Sequence, residues 1–378
     1  MPRIRLSILL ISLFLMTFQG FAAGEDAYFD RKDIFISGVD SYDTYRIPAV
    51  VVTNSGTVLA FAEGRKDGRS DAGNIDLLLK RSLDGGELWQ PMQTVWDDGP
   101  NTCGNPCPVV DRDTGTVWLF STHNLGTDHE RSIWDCSSKG SRTVWVMKSD
   151  DDGASWSDPL NITADVKNAN WTWYATGPCA GIQMKNGRLI IPCDHGVAIT
   201  KEYYSHVIYS DDHGKSWQLG GSVPDTATSE NQVAELSDSS LLMNIRIYPS
   251  PPGFKALSES KDGGRTWSTT YLDSSLVASG CQSSFISLAD GSTTPGSIHL
   301  FSNPADSKKR IRMTVRMSDD DASSWPVSRV LYEGPSAYSC LSTLPDGRIA
   351  CFFECGESHA YEKITFARFN LEWLEGND

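Results

Sequence analysis

The chain has 378 residues, of which 39% are hydrophobic, with 32 Gly, 12 Trp and a formal net charge of -15. That apolar fraction argues against disorder, and the length suits one large all-β domain. The acidic balance excludes a uniform basic face for nucleic acid and a general attraction to anionic membranes. An anionic ligand would have to be met by a local cluster of Arg set against the field of the chain.

The first residues read as an export signal, with Arg3 and Arg5 ahead of an apolar stretch at 6–18. The small residues of Gly20-Phe21-Ala22-Ala23-Gly24 follow as a cleavage site. About 13 residues is short for a bilayer span. The expectation is a signal peptide over 1–23, a mature domain over 24–378, and a secreted or periplasmic protein without a membrane span.

Downstream of this, a turn pattern S-x-D-x-G-x-x-W recurs. It is intact at Ser82-Asp84-Gly86-Trp89, Ser149-Asp151-Gly153-Trp156, Ser210-Asp212-Gly214-Trp217 and Ser260-Asp262-Gly264-Trp267. A fifth copy, Ser318-Asp320-Ala322-Trp325, has lost its Gly. Ser and Asp bind local backbone N–H groups, Gly supplies positive φ, and Trp packs the turn onto a sheet. The acidic run Asp150-Asp151-Asp152-Gly153 lacks the alternate ligands and distant Glu of a calcium loop.

The Trp spacings of 67, 61, 50 and 58 average 59, which divides a mature chain of about 355 residues into six units. Each unit carries a hairpin upstream of its box. The first joins 49–53 to 57–62; others turn at Asn186-Gly187, at 237–240, at Asp290-Gly291 and at Pro345-Asp346-Gly347. A third run such as 75–80 or 311–317 leads into the box, and 363–373 alternates as a last strand beside the N-terminal one. The predicted fold is all-β, a six-bladed β-propeller of four-stranded antiparallel blades.

Nine cysteines include two C-x3-C pairs, Cys103/Cys107 and Cys351/Cys355. With no His pair at ligand spacing, buried thiols or a few disulfides are favoured over zinc.

Antiparallel order decides which residues meet. Starts of first strands, ends of second strands and starts of third strands share one end of the domain, and every box lies at the other. Arg46 starts a first strand, Asp71 lies in the 64–73 loop, and Glu230 precedes a strand beginning at Gln232. Arg246 closes the next strand, Arg310 opens a third strand, and Tyr338 precedes the run towards Pro345. All six reach one mouth.

The chain resembles the bacterial and animal sialidases, and its boxes look like their Asp-boxes. The motifs that carry the resemblance are Tyr45-Arg46-Ile47-Pro48, Ser70-Asp71-Ala72-Gly73, Glu230-Asn231-Gln232, Met243-Asn244-Ile245-Arg246, Arg310 ahead of Thr314-Val315-Arg316, and Ala337-Tyr338-Ser339. The resemblance implies an exo-α-sialidase that takes a sialylated glycan, needs no cofactor or metal, and does not bind nucleic acid.

It further implies that Arg46, Arg246 and Arg310 grip the substrate carboxylate, with Arg312 and Arg316 sharing the strand face of Arg310. Planar guanidinium suits this by binding carboxylate bidentately. Glu354 matches the acid that orients the first Arg. Tyr338 is the implied nucleophile, Glu230 its base, and Asp71 the acid and then the base; sialidases are an exception to the two-carboxylate scheme of glycosidases. Asp98, or its neighbour Asp97, is the candidate acceptor for a sugar hydroxyl. Trp171, Trp173 and Tyr174 line an N-acetyl pocket or belong to blade core. Three alternatives stay open: a trans-sialidase, whether or not intramolecular; a non-catalytic glycan-binding propeller; and a glycosidase for neutral sugars, which has no use for three Arg.

Overall fold

The computed structural model describes residues 26–248, 252–288 and 298–376. The expected export signal and the Asp290-Gly291 turn lie outside these residues. The described chain is all-β, with three short helices of at most five residues.

Strands follow one another as antiparallel neighbours in successive runs. The first run is Thr44–Val52, Val58–Arg65, Ile75–Ser82 and Gln93–Trp96. The second opens with Thr102–Val110, the third with Trp171–Thr176, the fourth with Thr228–Glu235 and the fifth with Ser284–Ser287. A 17-residue strand, Val327–Thr343, ends the fifth run by pairing with Ile311–Ser318. It then starts the sixth by pairing with Ile349–Cys355. Phe29–Ile36 completes the sixth run by pairing with Lys363–Phe369.

Hydrogen bonding therefore gathers the strands into sheets of seven, five, four and eight rather than into six separate sheets. One join is the long strand; the other is a single parallel bridge, Ile75 with Thr102. The opening strands touch in order: Thr44–Val52 contacts Thr102–Val110, and the third run contacts Thr228–Glu235. That strand contacts Ser284–Ser287, and Val327–Thr343 contacts both Ser284–Ser287 and Thr44–Val52.

The opening strands Thr44–Val52, Thr102–Val110 and Trp171–Thr176 are buried along their whole length, because both faces are covered by neighbouring sheets. Outer strands such as Tyr271–Val277 are largely exposed. The core is split accordingly. One cluster holds Phe61 and Leu79 with Leu119 and Met147, from consecutive runs. Another holds Val50 and Ala60 with Phe352 and Phe366, joining the first run to the sixth.

The boxes form as expected. In the first, Ser82 Oγ donates to Asp84 Oδ1 (2.8 Å) and accepts from Gly86 N (2.8 Å), while Leu88 N donates to Asp84 Oδ1 (2.9 Å). The same bonds recur in all five copies, including the copy with Ala322. Their Trp side chains reach the preceding run: Trp89 packs edge-on against Phe366, Trp156 against Phe61 and Trp217 against Phe120. The box is thus a staple between sheets.

One expectation changes. The last strand stops at Phe369, where Asn370 Oδ1 accepts from Trp373 N (3.1 Å) and caps the helix Leu371–Glu375. Of the two readings given for the cysteines, the structure has the buried thiols: all nine are free, and only Cys136 is exposed.

Candidate active site

The opening strands do not run straight into the cleft. Five of them lose register at that end: between Arg46 and Ala49, Gly104 and Cys107, Trp171 and Tyr174, Thr228 and Asn231, and Ser336 and Ser339. A bulge re-aims side chains by breaking the two-residue alternation. The disturbed stretches hold Ile47, Asn105, Trp173, Glu230 and Tyr338, all of which line one cavity of about 270 Å³. Two of these residues pay in backbone strain, with φ of 57° at Ile47 and 54° at Asn105.

Glu354 holds two bulges together from beneath, fully buried. Its Oε1 accepts from Arg46 Nε (2.7 Å) and Ile47 N (2.9 Å), and its Oε2 accepts from Tyr338 N (3.1 Å). One carboxylate therefore fixes both a cleft guanidinium and the backbone of the phenol.

The Tyr338 hydroxyl donates to Glu230 Oε1. Arg246 Nη1 donates to both groups, to Tyr338 Oη at 3.0 Å and to Glu230 Oε2 at 2.5 Å. The guanidiniums of Arg46 and Arg310 lie 5.1 and 5.6 Å from the centre of the phenol ring. Tyr361 braces these two, stacking under Arg46 at 4.1 Å and accepting from Arg310 Nη1 at 3.0 Å. Burial, and then the charge of Glu230, raise the Tyr338 pKa well above that of a free phenol against the pull of the three Arg. Tyr338 is therefore held as the neutral phenol.

Asp71 sits on the loop over the cleft, its tip 58% exposed, with Oδ1 2.7 Å from Arg65 Nη1 and 3.7 Å from Arg46 Nη1. Loss of water around it raises its pKa, but Arg65 and then Arg46 outweigh that and hold the carboxyl at about 2. Arg65 is itself clamped by Glu63 Oε2 (2.9 and 2.6 Å).

The structure thus gathers Arg46, Asp71, Glu230, Arg246, Arg310 and Tyr338 around one cavity, with Glu354 beneath. Asp98 is not among them. Its carboxylate accepts from Asn101 Nδ2 (2.8 Å) and pairs with His123 Nε2 (2.7 Å), and it does not line the cleft. Arg312 points away to Glu333 (3.6 Å), and Arg316 bonds Asn303 (3.0 Å). Trp173 lines the cavity beneath Arg142, whereas Trp171 stacks on His195 and Tyr174 bonds His206 in the core.

Sequence reasoning missed one wall: Glu130, Arg142, Asp194, Tyr203 and Tyr248. Glu130 comes from the short helix Glu130–Trp134, inserted between strands, and accepts from Tyr203 Oη (2.7 Å). Nothing in the sequence marks that insertion. Asp194 ends a second strand by the parity used for Arg246, so it carried a usable signal.

Among the described residues, one group has metal-ligand geometry: Asp111, Asp113 and His213, away from the cleft. Its donors are satisfied within the protein, with Asp111 accepting from Thr114 Oγ1 (2.8 Å) and Gln183 Nε2 (3.0 Å) and meeting His213 Nδ1 (2.9 Å).

A family model described as a BNR repeat-like domain matches residues 56–351. A sialidase of Micromonospora viridifaciens is 32% identical over 373 residues, covering 93% of this chain. The chain spans only 55% of that relative's length. An exo-alpha-sialidase of Arthroderma benhamiae is 30% identical over 94% of this chain and 90% of its own. Among solved structures, the Hadza microbial sialidase Hz136 superposes with a TM-score of 0.82 at 30% identity, covering 91% of this chain and 69% of that one. No helix among the described residues is long and apolar enough to cross a membrane.

Proposed function

Because the chain belongs to the sialidase family, we propose that it is an exo-α-sialidase, releasing terminal α-linked sialic acid from glycoconjugates with retention at the anomeric carbon. The observation that carries this reading is the Tyr338 hydroxyl, bonded to Glu230 and Arg246 within a three-guanidinium cage. A sialic acid carries a carboxylate on its anomeric carbon, so an Asp or Glu nucleophile would approach against like charge. A neutral phenol avoids that repulsion. Its proton passes to Glu230 as the oxygen attacks, and Arg46, Arg246 and Arg310 stabilise both the substrate carboxylate and the phenolate as it forms.

Asp71 protonates the leaving oxygen and later activates the water that opens the aryl intermediate. In the empty cleft its two Arg neighbours keep it ionised. The substrate carboxylate, arriving beside Arg46, competes for that cation. Asp71 thereby loses the weaker of its two cations while keeping Arg65, and the incoming negative charge raises its pKa towards the range in which it can carry a proton.

The same reading takes the six runs as blades of a closed six-bladed propeller. Supporting it are contacts between successive opening strands that return from the sixth run to the first. It also takes residues 1–23 as an export signal and the protein as secreted or periplasmic.

The test is NMR of a fluorogenic α-sialoside during turnover. Wild type should give free sialic acid, first as the α-anomer. Tyr338→Phe should lower kcat roughly 100- to 10,000-fold while KM changes little, whereas Arg246→Ala should also raise KM. Equal turnover by wild type and Tyr338→Phe would overturn the nucleophile assignment. A product bearing a new glycosidic bond would replace hydrolysis with transfer.

A further inference from the structure

One carboxyl in the cleft has no role in the proposed chemistry and no partner. Asp194, in the strand Leu189–Val197, is 1% exposed, lines the cavity, and makes no hydrogen bond through either oxygen. Its strand neighbours cannot help, since it lies between Ala175 and Ser205, and Ser205 Oγ donates instead to Ser229 O. Arg142, on the same wall, lies 4.0 Å over the Trp173 ring, and its Nε is likewise buried without a partner. An unmet acceptor and an unmet donor thus face one cavity. Buried polar groups are ordinarily satisfied, so such a pair marks the place of a ligand.

The chemistry of that ligand follows from the surroundings. Facing Asp194 are Glu230, Glu130 and Tyr203, the cations Arg246 and Arg142, and Tyr174 and Cys193 behind. Two guanidiniums disfavour a ligand cation, and Glu230 and Glu130 disfavour a second anion. A neutral group that both donates and accepts fits. We propose that Asp194 is a substrate-binding residue, taking its missing hydrogen bonds from a hydroxyl of the bound sugar. This rests on the sialidase reading of the same cleft. Burial, and next the charges of Glu230 and Glu130, hold the Asp194 carboxyl well above the ordinary range. That direction favours the protonated form, which can donate to a hydroxyl oxygen and accept from a hydroxyl proton. As pH rises and it ionises, the donor is lost and a second negative charge faces an anionic substrate.

The experiment measures KM for an α-sialoside from pH 5 to 9, and the thermal midpoint of ligand-free protein, for wild type, Asp194→Asn and Asp194→Ala. The Asn variant keeps a neutral donor and acceptor, so its KM should stay within about threefold of wild type at pH 5 and rise less steeply with pH. The Ala variant should raise KM at least about tenfold at pH 5. The Ala variant should melt higher than wild type by a few degrees, because an unsatisfied buried polar group is removed, whereas the Asn variant keeps one and should melt close to wild type. An Ala variant with wild-type KM overturns the proposal. So does an Ala variant that melts lower, which would make Asp194 a structural residue. Either failure leaves wild-type turnover intact, whereas absence of turnover in wild type would instead sink the sialidase reading.

Discussion

Within each box, one backbone position decides the turn, and the five copies compare it directly. Gly86, Gly153, Gly214 and Gly264 have φ between 76° and 93°, and Ala322 takes φ 63° at the same place. L-residues disfavour this region by about 1–2 kcal/mol. At Gly214 the space is closed as well, because a Cβ would collide with the Trp118 indole. Gly214→Ala should therefore destabilise by about 2–4 kcal/mol, combining backbone strain with overpacking. Ala322→Gly relieves the strain but loses a buried methyl worth about 0.8 kcal/mol, so it should stay within about 1 kcal/mol of wild type. Denaturant titrations of the two variants check the pair; equal effects would mean that the turn, and not the fit against the preceding sheet, limits stability. The residue scale also explains what was legible. The boxes are local, with all their bonds inside seven residues, so the pattern alone announced them. Asp98 misled because a carboxylate in a connecting loop carries no sign of which neighbour it will bind, and His123 is that neighbour.

At the scale of the element, the informative feature is the bulge. Parity placed Arg46, Arg246, Arg310 and Tyr338 at one end of their strands, and that much follows from antiparallel order. Alternation could not say which side chains turn into the cleft, because five opening strands lose register there. Three of those strands, Thr44–Val52, Thr102–Val110 and Trp171–Thr176, are also buried along their whole length, so their sequences lack the polar-out residues that would fix a phase. The wall built by Glu130 and Arg142 was out of reach for another reason, since it depends on how connections fold over the rim. Glu354 makes two bulges a single unit, and it is a positioning residue with no path to substrate. Replacing it by Gln leaves the buried Arg46 facing a neutral amide. Glu354→Gln should destabilise by about 3 kcal/mol, the effect of breaking a buried pair. It should also lower kcat/KM more than tenfold, as Arg46 and the Tyr338 backbone lose their common anchor. Activity measured well below the melting temperature separates the two effects. Full kcat/KM in a destabilised protein would show that the bulges hold without it.

For the whole molecule, the question is how a chain of net charge -15 would take up the anion proposed as its substrate. The cleft holds five guanidiniums, those of Arg46, Arg65, Arg142, Arg246 and Arg310. Against them stand the carboxyls of Glu63, Asp71, Glu130, Glu230 and Glu354, and that of Asp194, which burial pushes towards its uncharged form. Seen from a distance the site is close to neutral, and its attraction for a carboxylate exists only at hydrogen-bond range. The far field belongs to the acidic surface, and it would repel an anionic substrate. Screening lengths fall from about 30 Å at 0.01 M salt to about 8 Å at 0.15 M. Added salt should therefore weaken the long-range repulsion while leaving the buried contacts largely untouched. The kcat/KM for a small anionic sialoside should rise about twofold between 10 and 150 mM NaCl, the reverse of an electrostatically steered enzyme. A neutral ester of the same sialoside, used as a competing ligand, should show no such rise in its inhibition. If kcat/KM falls steeply with salt instead, the guanidiniums project beyond their carboxylate partners, and the balance of charges inside the cleft is not what governs approach.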